Sequence, residues 1–212
     1  RDLVRSRGLG DVYKRQPLNG VVGFSQLIAS EPNMDEDTRK EFSAIIQKNT
    51  GELMQLVNDV LDLSRLEANM MKFQIQEYDA VALCNDAIYM ARMRNEETIE
   101  IYFDTHIETQ PITTDTGRLI QALVSTLTYP QKNTAHREIT FTLTRDDSGK
   151  QICFRISNSP LADPEFNSQE VSIRHDINRL LLQHFGGSYN ITADEQERPV
   201  INFTYPLDII SE

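Results

Sequence analysis

The chain has 212 residues and a mass of 24.3 kDa, enough for one large domain or two small ones. A hydrophobic content of 39%, a charged content of 25% and a mean hydropathy of -0.44 describe a soluble chain, with no apolar run near the roughly 18 residues of a membrane span. With 21 Lys and Arg against 32 Asp and Glu, the net charge of -11 excludes a general nucleic-acid or anionic-membrane surface, since both demand positive charge.

The two cysteines, Cys84 and Cys153, lie too far apart to read as a metal-ligand motif or a disulfide framework, and are expected to be reduced core thiols. None of His106, His136, His175 and His184 forms an i, i+4 pair that would set two ligands on one helix face, so no metal site, zinc included, is expected. Residues 1–16 form a basic opening to an acidic chain, with Arg1, Arg5, Arg7, Lys14 and Arg15 against Asp2 and Asp11, and lack the apolar stretch of a signal peptide. Two readings stand for this segment: a non-native, adapter-derived stretch replacing natural upstream sequence, or a short basic linker.

From Pro17 to Ala29, Leu18, Val21, Val22, Phe24, Leu27 and Ile28 recur at the spacing of an amphipathic helix. Glu31-Pro32-Asn33 breaks it, and Asn33 with Glu36 resembles a capping box opening a second helix. In that helix Phe42, Ile46, Asn49, Leu53, Leu56, Val60 and Leu63 alternate steps of four and three, the pattern of a coiled-coil seam with one polar member. Ile45, Met54, Val57 and Leu61 widen the stripe beyond a two-stranded seam, so residues 17–69 are expected to form a helical hairpin that pairs with a second copy as a four-helix bundle. A helix running to about Leu66 would be roughly 50 Å long, more than a small domain can cover. Asn69 is a candidate left-handed helix stop.

A second domain is expected over residues 73–212. Phe73 and Ile75 alternate with polar neighbours, and Asp79 is placed to cap a helix through Leu83, Ala87, Ile88 and Met90. Ile99, Tyr102 and Phe103 read as a strand, Asp115 as the cap of a helix through Leu119, Ile120, Leu123, Val124 and Leu127, and residues 139–143 as a strand. Residues 146–149 supply a hairpin turn leading to Ile152, Phe154 and Ile156. An irregular stretch from Ser157 to Val171 precedes a helix through Ile177 and Leu180 to Leu182, which stops at Gly186-Gly187, and strands at 189–191 and 200–205 close an α+β domain with a mostly antiparallel sheet.

Two stretches now carry a resemblance. Pro17-Leu-Asn-Gly-Val-Val-Gly-Phe-Ser-Gln-Leu-Ile28 is similar to the stretch after the phosphoacceptor histidine of bacterial sensor histidine kinases, and Asn58-Asp-Val-Leu-Asp-Leu-Ser-Arg-Leu-Glu67 resembles the end of their second dimerisation helix. The resemblance implies a dimerising helical hairpin followed by an α+β sandwich of the histidine-kinase ATPase type, with ATP and Mg²⁺ as cofactors if the family activity survives. The implied partners are a second copy of the chain and a response-regulator receiver domain or an intact sensor kinase. It also implies a cytoplasmic portion of a protein that is often membrane-anchored elsewhere.

The same resemblance places the family's phosphoacceptor histidine, five residues before the proline, at Val12, which has no lone pair to attack a phosphate. Gln16 stands where the family has a Thr or Asn tied to phosphatase activity. The family's Mg²⁺-binding Asn falls on Tyr129, a poor replacement for a hard carboxamide oxygen, while Lys132 and Thr134 match the family's Lys and Thr and read equally as solvated residues at a helix end. At the Asp-x-Gly-x-Gly motif, Asn158 is left to accept from the adenine amino group, and Pro160 and Ala162 replace the glycines. The phosphate loop's register falls on residues 172–175, and no glycine lies between Gly149 and Gly186. Three functions follow as expectations: a catalytically impaired, dimeric signalling scaffold built on a sensor-kinase core; an active ATP-dependent histidine kinase with a divergent pocket; and a structural coiled-coil module.

Overall fold

A computed structural model describes residues 15–95, 98–130, 133 and 135–207. The chain divides into two compact units whose boundary, between Leu61 and Asp62, falls inside a long helix.

The first unit is a helical hairpin of α1 (Arg15–Ser30) and the greater part of α2 (Glu36–Glu67). The cap of α2 is Asp35 rather than Asn33. The Asp35 carboxylate accepts from the Thr38 amide at 2.9 Å and from its hydroxyl at 2.6 Å, and a carboxylate at the positive end of a helix outcompetes a neutral amide. Phe24 and Phe42 pack at 5.1 Å between ring centroids. An ideal Cβ on Gly20 would lie 2.4 Å from Asn49 Nδ2, so the polar residue of the seam lies over bare backbone of α1 in its own hairpin. Leu18, Val22, Leu27, Met54, Val57 and Leu61 stay exposed, an apolar stripe that one hairpin does not cover.

Helix α2 ends in the second unit. Asn69 takes φ +52°, Met70 N–H donates to Arg65 C=O at 2.8 Å and Asn69 N–H to Leu66 C=O at 3.1 Å, the double closure of a left-handed helix stop. The elements that follow are β1 (Ile75–Asp79), α3 (Ala80–Asn95), β2 (Ile99–Thr105), β3 (Pro111–Asp115), α4 (Thr116–Thr126), β4 (Arg137–Arg145), β5 (Gln151–Ser157), α5 (Gln169–His184), β6 (Ser188–Ala193) and β7 (Pro199–Pro206). Strands β1 and β3 form an antiparallel ribbon, and the main sheet has the order β2-β4-β5-β7-β6, in which the β2·β4 pair is parallel and the others antiparallel.

Strict alternation places Ile139, Phe141 and Leu143 of β4 and Ile152, Phe154 and Ile156 of β5 on the core face, against Leu83, Ala87, Leu119 and Leu123 of α3 and α4. Asp79 and Asp115 cap α3 and α4 by accepting from Ala82 and Arg118 amides, each at 3.0 Å, and each also accepts a distant amide, Gln110 at 2.6 Å and Gln74 at 2.8 Å. Both expected caps therefore also pin the β1–β3 ribbon. That ribbon's second strand, β3, is missing from the sequence expectation because Pro111-Ile-Thr-Thr-Asp115 offers a single large apolar residue. Met90, expected on the inner face of α3, is exposed, and the stretch from Ser157 to Val171 is more ordered than expected: single 3₁₀ turns at Pro160–Ala162 and Pro164–Phe166, then α5 from Gln169, capped by Ser168.

Candidate functional site

Of the positions singled out on the sequence, Tyr129, Asn158, Pro160 and Ala162 lie where the end of α4, the start of β4 and the segment after β5 meet. Tyr129 leaves α4 with its hydroxyl donating to Ala135 C=O at 2.8 Å, its ring edge-on to Phe166 at 5.4 Å, and the Arg137 guanidinium 5.6 Å above its face. Arg137 faces inward at the start of β4 and donates to Asn158 C=O at 3.3 Å and to the Asp163 carboxylate. Asn158 holds φ +61°, a conformation Asn tolerates better than most residues, and its amide nitrogen donates to Glu138 C=O at 2.9 Å. Ser159, fully buried, donates its hydroxyl to Thr126 C=O at 2.7 Å, which ties the segment to the last turn of α4.

Beyond Ser159 the chain turns into the core. Leu161 and Phe166 are buried in the hydrophobic cluster, and Pro160 is buried beside them. Burial pushes the Asp163 carboxyl up, but the hydrogen bond from Arg137, the Glu165 amide and the guanidinium charge more than offset it and hold the group below its ordinary value.

Residues 172–175, the register of a phosphate loop, lie within α5. There backbone N–H groups are committed to the helix ladder, apart from those of its first turn. His175 points inward, with Nδ1 at 2.6 Å from Tyr189 Oη and Nε2 at 3.1 Å from Leu161 C=O. This arrangement suits a neutral imidazole donating from Nε2 to the carbonyl and accepting the tyrosine hydroxyl at Nδ1. Burial is the chief cause that lowers the His175 pKa, aided by Arg179 and opposed by the Leu161 carbonyl and Asp176, and burial likewise raises that of Tyr189.

The unfolded chain therefore takes up a proton at His175 at a higher pH than the folded one. Its contribution to stability is complete above about pH 6.5 and falls as the pH drops below that value. The expected result is a lower urea midpoint at pH 5.5 than at pH 7.5, with the difference diminished in His175→Gln; equal pH dependence in the variant would refute the assignment.

Arg137, Asp163, Ser159 and His175 carry this arrangement and were not singled out on the sequence as site residues of their own. Arg137 and Asp163 come together only through the β4–β5 pairing, and no local spacing announces that. Val12, Lys132 and Thr134 lie outside the described residues, and Gln16 lies in α1.

Residues 15–69 match the family model of the His Kinase A (phospho-acceptor) domain. The hairpin is a His Kinase A domain. Over 116 residues, 53% of this chain and 13% of the relative, the sequence is 35% identical to the autoinducer 2 sensor kinase/phosphatase LuxQ of Vibrio cholerae. The matched parts span only 6 to 13% of the length of the first curated relatives. Among solved structures, histidine kinase ThkA, in complex with response regulator protein TrrA, matches 98% of this chain and 63% of its own with a TM-score of 0.72 and 15% identity. Full-length ShkA, in complex with AMPPNP, matches 97% of this chain and 47% of its own with a TM-score of 0.62 and 21% identity.

The helical hairpin followed by a sheet domain is thus the histidine-kinase fold, and the resemblance read from the sequence holds. Residues 15–69 match the His Kinase A model, and the unit that follows completes a fold seen in solved histidine kinases. Among the described residues no helix is long and apolar enough to cross a membrane.

Proposed function

We propose that this chain serves two-component signalling as a dimeric scaffold whose nucleotide site is filled by its own side chains, in place of a working phosphotransferase. The observation that carries this reading is the burial of Leu161 and Phe166, the latter against Tyr129, at the place where the resemblance puts the base-binding and magnesium-binding groups. The residues there do not fit a magnesium–adenine nucleotide. Tyr129 offers a phenol already donating to Ala135, and Pro160 stiffens the loop where permissive backbone is needed.

The exposed stripe of Leu18, Val22, Leu27, Met54, Val57 and Leu61 supports pairing with a second copy, because an apolar band of that extent is costly to leave in water. A response-regulator receiver domain or an intact sensor kinase is the partner proposed for the paired hairpins, the ThkA complex being the precedent. This portion is proposed to work in the cytoplasm.

Calorimetric titration of the whole chain with ATP and Mg²⁺ is expected to show no binding up to about 1 mM. Saturable binding in the micromolar to millimolar range would overturn the scaffold reading in favour of an active kinase. Sedimentation equilibrium is expected to give a dimer.

A further inference from the structure

On the outer face of the sheet, Glu100 of β2 and Glu138 of β4 are direct register partners on parallel strands. Like charges side by side across a ladder are unfavourable, and a β-sheet has no flexible backbone there to move them apart. His136, just before β4, brings a nitrogen donor to the same spot. Its Nε2 lies 3.8 Å from Glu100 Oε1, and one ligand atom from each of Glu100, His136 and Glu138 lies within 4.8 Å of the other two. Tyr102, two residues along β2 on the same face, donates its hydroxyl to the second Glu100 oxygen at 2.5 Å and so orients the carboxylate.

Purely acidic clusters suit hard, strongly hydrated ions, whereas an imidazole with two carboxylates is a mixed nitrogen and oxygen donor set suited to a first-row divalent ion. All three residues are exposed, which leaves room for water to complete the coordination. We propose that Glu100, His136 and Glu138 form a surface site for a zinc-class divalent cation that clamps the edge strand β2 to β4.

The strand register fixes the two carboxylate donors, and His136 directly precedes the first paired residue of β4. The cation would neutralise the paired carboxylates and hold β4 at the point where Arg137 and Glu138 enter the sheet. This does not depend on whether the chain binds a nucleotide.

The test is calorimetric titration of the whole chain with ZnCl₂, beside His136→Ala and Glu138→Gln, with MgCl₂ as the hard-ion control. One equivalent of Zn²⁺ is expected to bind, with at least tenfold weaker affinity in either variant and little response to Mg²⁺. Excess Zn²⁺ is expected to raise the Tm of the native chain by about 5 °C at a hundredfold excess over Kd, and that of the variants much less. Because the three side chains are exposed, both variants should fold, and their Tm without metal checks that. Absence of saturable Zn²⁺ binding, or native-like binding by both variants, which would place the ion elsewhere, overturns the proposal.

Discussion

Gly187→Ala is expected to destabilise the second unit by about 3 kcal/mol or more, whereas Gly186→Ala, next to it, costs only about 1 kcal/mol. The two glycines close α5 together. Gly186 N–H donates to Gln183 C=O at 3.0 Å and Gly187 N–H to Leu182 C=O at 2.8 Å, with Gly186 at φ +77°. At Gly186 an added Cβ meets nothing closer than Pro206 Cγ at 3.7 Å, so the penalty is the left-handed backbone alone.

At Gly187 the same atom would lie 2.0 Å from the carbonyl oxygen of Thr204. Thr204 sits in β7 between β5 and β6, paired with Cys153 on one side and Ser188 on the other, so its backbone has no direction in which to yield. Urea denaturation of the two variants beside the native chain checks this. A cost below about 1 kcal/mol at Gly187 would mean that the helix stop moves easily, contrary to the geometry.

The contrast between these glycines marks how far sequence reading reaches. The stop itself was legible, because a Gly-Gly pair after a periodic apolar run has one dominant meaning; that one glycine answers to strand packing and the other to backbone conformation was not. The same division holds along the chain. The capping by Asp79 and Asp115 and the stop at Asn69 act through amides or carbonyls a few residues away and were readable from neighbours in sequence, whereas the second amides the two aspartates accept, from Gln110 and Gln74, were not.

The capping error at Asn33 came from two acceptors standing two residues apart, where the carboxylate of Asp35 wins by charge. Strand β3 escaped because a short ribbon stabilised by distant caps needs little apolar content of its own. At the candidate site, motif register located Tyr129 and Asn158, but not the burial beside them of Leu161 and Phe166, ordinary apolar residues in a stretch that looked irregular. The direction of such a segment, into the core or over it, is decided by tertiary packing.

Arg137→Ala is expected to cost about 2 to 3 kcal/mol and to loosen the segment from Asn158 to Phe166. The Arg137 and Asp163 side chains are only 14% and 16% exposed, so removing the guanidinium strands a carboxylate largely shielded from water. Breaking a fully buried pair costs about 3 to 5 kcal/mol, and residual solvent contact reduces that here. The variant also loses the donor to Asn158 C=O and the cation over Tyr129, so three anchors of this segment go at once. Arg137→Lys keeps the charge but cannot span Asn158 and Asp163 with one planar fork, and is expected to recover only part of the loss.

The pH dependence separates this account from simple loss of packing. Because the Asp163 carboxyl is held below its ordinary value, its contribution is present above about pH 4 and disappears as the pH falls through the folded-state pKa. In Arg137→Ala the hydrogen bond and charge of the guanidinium are gone, only the Glu165 amide still opposes the upward push of burial, and the native acid-side loss of stability should shrink. Urea midpoints between pH 3 and 7, with amide exchange across residues 158–166, read both effects. A cost under about 0.5 kcal/mol with unchanged exchange protection would show that Leu161 and Phe166 stay seated without the ion pair, so that apolar burial alone closes the site.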